Sequence, residues 1–96
     1  MRFEWDEEKS QANQKKHSVT FEEAQSVFFD ENALLFDDPD HSEEEQRYLL
    51  LGFSVRIRVL LVVHCVREKE DVIRLISARR ATRKECKVLS TKGEPK

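Results

Sequence analysis

The stretch Val59-Leu60-Leu61-Val62-Val63-His64-Cys65-Val66 constrains this chain more than any other. It is apolar at every position but one and rich in valine. A strand with one wet face alternates apolar and polar residues, so an unbroken run is expected only where both faces are covered. A central strand needs neighbours, and the sequence supplies them. Tyr48 to Phe53 precedes it across the short polar break Ser54-Val55-Arg56, the pattern of a hairpin. Val72 to Ser77 follows it after a charged turn, Arg67 to Asp71. Ala33-Leu34-Leu35-Phe36, after the turn Asp30-Glu31-Asn32, makes a fourth strand. Strands joined by turns this short run antiparallel.

Helices are expected on either side of this block. Asp6 is suited to an N-cap, with Glu7 and Glu8 in a first turn and Lys15, Lys16 and His17 in a last one, so 6–17 reads as a helix. Thr20 and Glu23 have capping-box spacing, and Phe21, Ala24, Val27 and Phe28 follow at helical spacing. Thr82 and Glu85 form a second box and open a short final helix. Phe3-Glu4-Trp5 is a short extended start, and a flexible tail is expected from about residue 90. The order predicts an α+β fold: a four-stranded, mainly antiparallel sheet with two N-terminal helices packed on one face and a short C-terminal helix. At 96 residues this is a single domain, 1–96.

Composition excludes several classes. No run approaches the roughly 18 apolar residues of a membrane span, and the acidic start lacks the apolar core of a secretory signal. Cys65 and Cys86 are too few for a disulfide framework and form no CxxC pair. Both read as reduced thiols filling space, in a cytoplasmic protein. "DDPDHSEEE", residues 37–45, is rich in oxygen ligands but fits no EF-hand spacing, so no metal or other cofactor is expected.

Charge is divided unevenly. Residues 1–45 hold four Lys/Arg against fourteen carboxylates, a balance of −10, and residues 46–96 hold thirteen against five, a balance of +8. Such a division suits an anionic partner for one part and a basic partner for the other, or two halves that neutralise each other. Positive charge peaks in "RLISARRATRKE", residues 74–85, where Arg79, Arg80, Arg83 and Lys84 gather as a strand ends. Phosphate contacts from such a cluster give affinity without sequence preference. The plainer account is a solvated strand end. No aromatic stripe for stacking bases is present.

Several separated stretches together resemble the BrnT-type toxins of bacterial type II toxin–antitoxin pairs. They are "FEWDEEK", "KHSVTFEEAQSVFFD", "DDPDHSEEEQR", "LLGFS" and "RLISARRATRKE", spanning roughly residues 3–86. Lys16-His17, the Asp40-His41-Ser42 run with Arg47, and Ser77-Ala78-Arg79 are the most specific parts. The resemblance implies a RelE-like fold, metal-independent ribonuclease activity and inhibition of translation. It further implies neutralisation by a BrnA-like ribbon-helix-helix antitoxin in a hetero-oligomer, which represses its own operon by binding operator DNA through the antitoxin. Two loops depart from the family pattern: Ser18 stands where a glycine usually follows Lys-His, and the hairpin around Val55-Arg56-Ile57 lacks its usual glycine.

Metal-free RNA cleavage needs a base for the 2′-OH proton, cations for the phosphorane, and an acid for the leaving 5′-oxygen. Arg79 is the first choice for the cationic role, because its planar fork matches two phosphate oxygens. Lys16, Arg74, Arg80, Arg83 and Lys84 are the candidate RNA-binding residues. Alternation along the strand places Ser77 and Arg79 on one face and Arg74 on the other. Arg74, flanked by Ile73 and Leu75, needs a partner if buried, supplied by the sheet's open face or by a carboxylate such as Glu45. His64, His41, Arg47 and His17 complete the catalytic candidates. His64 lies on the strand face of Leu60 and Val62, where a structural histidine is the commoner finding. His41 follows three aspartates that favour its protonated form, suiting a general acid or a loop cap. His17 ends a helix whose dipole favours the cation, suiting phosphate binding better than base work. Arg47 pairs with the acidic loop or faces RNA.

Three functions follow: a ribonuclease toxin, a fold that has lost its chemistry and acts only within a repressor complex, or a single-chain nucleic-acid binder. An antitoxin is expected to cover the basic half with an acidic or apolar segment.

Overall fold

The computed structural model describes residues 1–38 and 46–92. In chain order these form β1 (Arg2–Glu4), α1 (Glu7–His17), α2 (Phe21–Ser26, continued by a 3-10 turn, Val27–Phe29), β2 (Leu34–Asp37), β3 (Arg47–Phe53), β4 (Val59–Arg67), β5 (Val72–Arg80) and α3 (Arg83–Lys92). The sheet has five strands in the order β1-β5-β4-β3-β2, with the apolar run of β4 in the middle. The expected four-stranded antiparallel sheet is thereby corrected. β1 adds a fifth strand, parallel to β5, with Phe3 opposite Ile73 and Glu4 opposite Arg74. Three residues are too few to show a period. What fixes β1 is tertiary: Phe3 packs on the core, and the N-terminal ammonium meets Asp71 Oδ2 at 2.8 Å.

β4 is covered on both sides. Val19, Phe21, Ala24 and Val27 pack on Leu50, Leu60, Val62, Ile73, Leu75 and Ala78, so α2 and the loop before it roof one face. Leu89 of α3 packs on Leu51 and Leu61 on the other. β3 approaches the turn before β2 so closely that a Cβ on Gly52 would lie 2.7 Å from Ala33 Cβ and 2.9 Å from Asp30 Oδ2. Only glycine fits there.

A bulge changes the expected facing of β5. Val63 pairs with Ser77 but His64 with Leu75, leaving Ile76 as the extra residue. Ile73, Leu75 and Ala78 therefore all enter the α2-side core. Arg74, Ser77 and Arg79 share the opposite face, where strict alternation predicts Arg74 apart from the other two. The partner of Arg74 is Glu4, whose Oε2 accepts from Nη1 at 2.6 Å.

Local signals behave unevenly. Asp6 caps α1, accepting from the Glu8 amide at 2.9 Å. The Thr82–Glu85 box is complete, with both reciprocal bonds at 2.8 and 3.2 Å. The Thr20–Glu23 box is half made: Thr20 Oγ1 accepts from the Glu23 amide at 3.1 Å, but the Glu23 carboxylate turns inward to another partner. Ser18, at one expected glycine, and Ile57, in the hairpin that lacks the other, both take the left-handed conformation that glycine favours, with φ of 58° and 59°. α1 has no apolar face and buries only Ser10 and Asn13. Asn13 secures it by donating to the Ala78 and Val19 carbonyls at 2.8 and 2.9 Å and accepting from the Ala78 amide at 3.0 Å. No described helix is long and apolar enough to cross a membrane.

Candidate functional site

The candidate residues fall at two places in the fold. The first is the end of the sheet where β5 stops and β4 starts, with Leu60 opposite Arg80. Asn13 pins α1 over Ala78, and the Arg58 guanidinium donates to the Ser18 carbonyl at 2.8 Å. Those two anchors bring the last turn of α1, with Lys16 and His17, to this end. Only Ala81 and Thr82 separate Arg80 from α3, and Ala81 N donates to Val59 O at 2.9 Å, so Arg83 and Lys84 arrive there too. Lys16, Arg80, Arg83 and Lys84 are exposed, and none forms an ion pair with a described residue. His17 is half-buried. Three elements thus bring cations and one imidazole to one edge, with the N-terminal dipole of α3 adding positive potential.

Arg79 belongs to this end but is engaged. Its Nη1 and Nη2 donate to Glu85 Oε1 and Oε2, each at 2.9 Å, a bidentate pair. The Arg79 hydrogen bonds hold the Glu85 carboxyl down at about 2, against a usual 4.5, and Glu85 in turn raises Arg79. A carboxylate occupies the fork that a phosphate would take.

The second place is the far end of the sheet. His64 lies under Phe28, with ring centroids 4.8 Å apart, and its Nδ1 is 3.3 Å from Val62 O. Burial lowers its pKa, which keeps it neutral. It lines a mainly apolar pocket of about 390 Å³ with Phe28, Leu35, Leu50 and Val66, with Glu68 and Asp71 at its border and no lysine or arginine among the described lining residues. On the opposite face, Arg47 and Arg74 flank Cys65 in register. Arg74 is tied to Glu4, as above. His41, with the loop to which Arg47 was expected to turn, lies outside the described residues.

One cluster escaped the sequence reading. Glu23, only 5% exposed, accepts from Arg58 Nε and Nη2 at 2.7 and 2.6 Å and from Ser54 Oγ at 2.7 Å. The Arg58 hydrogen bond lowers the Glu23 pKa against the opposing effect of burial. Its role as a box partner to Thr20 disguised it. Asn13 was missed as well, although an asparagine in a helix without apolar residues on the covered side was the available signal. Three of the ion pairs among the described residues, Glu23–Arg58, Glu23–Arg56 and Glu4–Arg74, join carboxylates of the acidic half of the chain to arginines of the basic half. The uneven charge is thus partly neutralised within the fold.

Shape and sequence now place the chain among known proteins. The family model described as the ribonuclease toxin BrnT of type II toxin–antitoxin systems matches residues 5–85. The chain belongs to that family. Among solved structures, it is similar to the Brucella abortus ribonuclease toxin BrnT, determined by crystallography at 1.1 Å. The TM-score is 0.66 at 22% identity over 86% of this chain and 99% of that one, a likeness that establishes the fold. No curated protein matches the sequence.

Proposed function

We propose that this chain is an endoribonuclease toxin that cuts RNA at the basic end of its sheet without metal. The observation that carries this is the convergence of Lys16, His17, Arg80, Arg83 and Lys84 from three elements, on a chain whose family is that of a ribonuclease toxin. Lys16, Arg80, Arg83 and Lys84 bind backbone phosphates. The 2′-oxygen loses its proton, attacks the adjacent phosphorus, and forms a pentacoordinate phosphorane. The P–O5′ bond then breaks and the 5′-oxygen takes a proton. The products are a 2′,3′-cyclic phosphate and a 5′-hydroxyl. His17 is the described imidazole at this edge and, in this reading, gives the proton to the leaving 5′-oxygen. Arg79 stabilises the phosphorane once the scissile phosphate displaces the Glu85 carboxylate. Each such cation contributes on the order of 10²–10³-fold, and a proton-transfer group about 10²–10⁴-fold.

In the cell the protein acts in the cytoplasm, inhibits translation by RNA cleavage, and is neutralised by a ribbon-helix-helix antitoxin, the complex repressing its own operon. A second reading, an inactive module serving only in that repressor complex, is favoured by the closed Arg79–Glu85 pair. Purified protein incubated with structured RNA in EDTA separates the two. Fragments ending in 2′,3′-cyclic phosphate support the toxin. Intact RNA, with and without ribosomes, supports the inactive module.

A further inference from the structure

The β3–β4 turn is held more firmly than its length requires. Four residues outside it bind its backbone or its side chains. Asp30 Oδ2 accepts from the Phe53 amide at 2.8 Å, and Ser26 Oγ accepts from the Val55 amide at 2.8 Å. Glu23 holds Ser54 and Arg58 from beneath, and the Ser18 carbonyl holds Arg58 from the side. Within the turn, Ser54 N donates to Arg58 O and Ile57 N to Ser54 O, each at 2.9 Å.

The tip of this braced turn is apolar and faces water. Val55 is 74% exposed, Ile57 82% and Phe53 47%. Ile57 also adopts φ 59°, a left-handed conformation that a β-branched residue holds only at a cost. Glycine would remove both the strain and the exposed side chain. The chain's own folding therefore gives no reason for isoleucine at this position. An exposed, pre-ordered apolar knob instead matches what a protein interface uses as an anchor, because little entropy remains to be lost on binding.

The charge around the knob selects the partner. Arg56, at the tip, is mostly exposed, and its pairing with Glu23 is a long one at 4.0 Å, against 2.6 Å for Arg58. Arg80 and the last turn of α1 stand at the same end of the sheet. The two most exposed apolar side chains of the tip, Val55 and Ile57, offer no π face to stack a base, and Phe53 at its base is only half-exposed, which favours a protein over RNA as the occupant. We propose that the Phe53–Arg58 tip is the docking knob for a protein segment presenting an apolar groove rimmed by carboxylates, which lays that segment across the basic end. This rests on the function proposed above, under which the partner is the antitoxin and its docking shuts the RNA site.

The test titrates the protein encoded by the reading frame adjacent to this chain's own against wild type, a Val55→Ser/Ile57→Gly double variant, and Arg56→Glu. The double variant is expected to bind on the order of 100-fold more weakly. Its thermal midpoint should be equal or higher and its RNA cleavage unchanged. Arg56→Glu is expected to weaken binding about tenfold or more, with the deficit shrinking in high salt. Unchanged affinity in both variants overturns the knob and leaves the proposed function standing. Loss of RNA cleavage with affinity retained overturns it in favour of an RNA contact. Failure of the wild type to bind that neighbour removes the antitoxin reading itself, and the knob with it.

Discussion

Two of this molecule's glutamate–arginine pairs differ in burial rather than in chemistry. Glu23–Arg58 joins α2 to the β3–β4 turn with side chains 4% and 20% exposed. Glu85–Arg79 joins α3 to the end of β5 with side chains 29% and 38% exposed. Both are bidentate. In the first, the Glu23 carboxylate is closed to solvent and Arg58 is mostly covered, so the pair acts as a lasting clamp. In the second, solvent reaches both groups, and another anion can compete for the arginine. The same two residue types thus make a structural tie in one place and an exchangeable one in another.

Removing one partner from each pair tests this difference. Glu23→Ala strands the Arg58 guanidinium over a buried site and is expected to cost about 3–5 kcal/mol in urea unfolding. Glu85→Ala loses an exposed pair and half a capping box, for an expected cost of about 1–2 kcal/mol. Equal costs would abolish the distinction. Between these, Asn13→Ala is expected to cost about 2–3 kcal/mol, because it leaves buried backbone groups of Ala78 and Val19 without partners. It should also weaken RNA cleavage, since Asn13 positions Lys16 and His17 without touching RNA.

Acid should sharpen the same comparison. The folded pKa of Glu85 lies near 2, below its usual 4.5. Its contribution to stability is then complete above about pH 4.5 and lost as pH falls toward 2. Glu85→Gln should flatten the wild-type decline across that window in thermal melts. His64 acts earlier. Burial lowers its pKa from 6.5, so its contribution is present above that pH and declines below it as the unfolded chain takes up the proton. His64→Leu should remove the loss between neutral pH and the carboxylate window. The smallest effect is expected from Ile57→Gly, a gain of about 1 kcal/mol from releasing the left-handed strain.

Much of the fold was legible because its signals are local. The apolar run of β4 located the centre of the sheet, and Asp6 and the Thr82–Glu85 box placed two helix starts correctly. β1 was legible as a short extended start but not as a member of the sheet, because its pairing depends on Asp71 and Arg74, seventy positions away. The bulge at Ile76 was hidden too, since an inserted strand residue leaves the composition of the run unchanged, yet it decides which face Arg74 shares. The site was legible as a list of cations and not as an arrangement. Sequence grouped Arg74 with Arg79 and Arg80, whereas Glu4 draws it to the far end of β5. Nor did sequence reveal that the Glu85 of a capping box also closes the Arg79 fork.

The most direct measurement compares cleavage of one structured RNA, in EDTA, by Lys16→Ala/Arg80→Ala and by Arg74→Ala. Thermal midpoints are recorded alongside to confirm folding. If the basic end is the site, the double variant loses at least about 10²-fold in rate at an unchanged midpoint, while Arg74→Ala stays near wild type. Full cleavage by the double variant, or its loss in Arg74→Ala alone, would contradict the assignment and move the site to the face shared by Arg47 and Arg74.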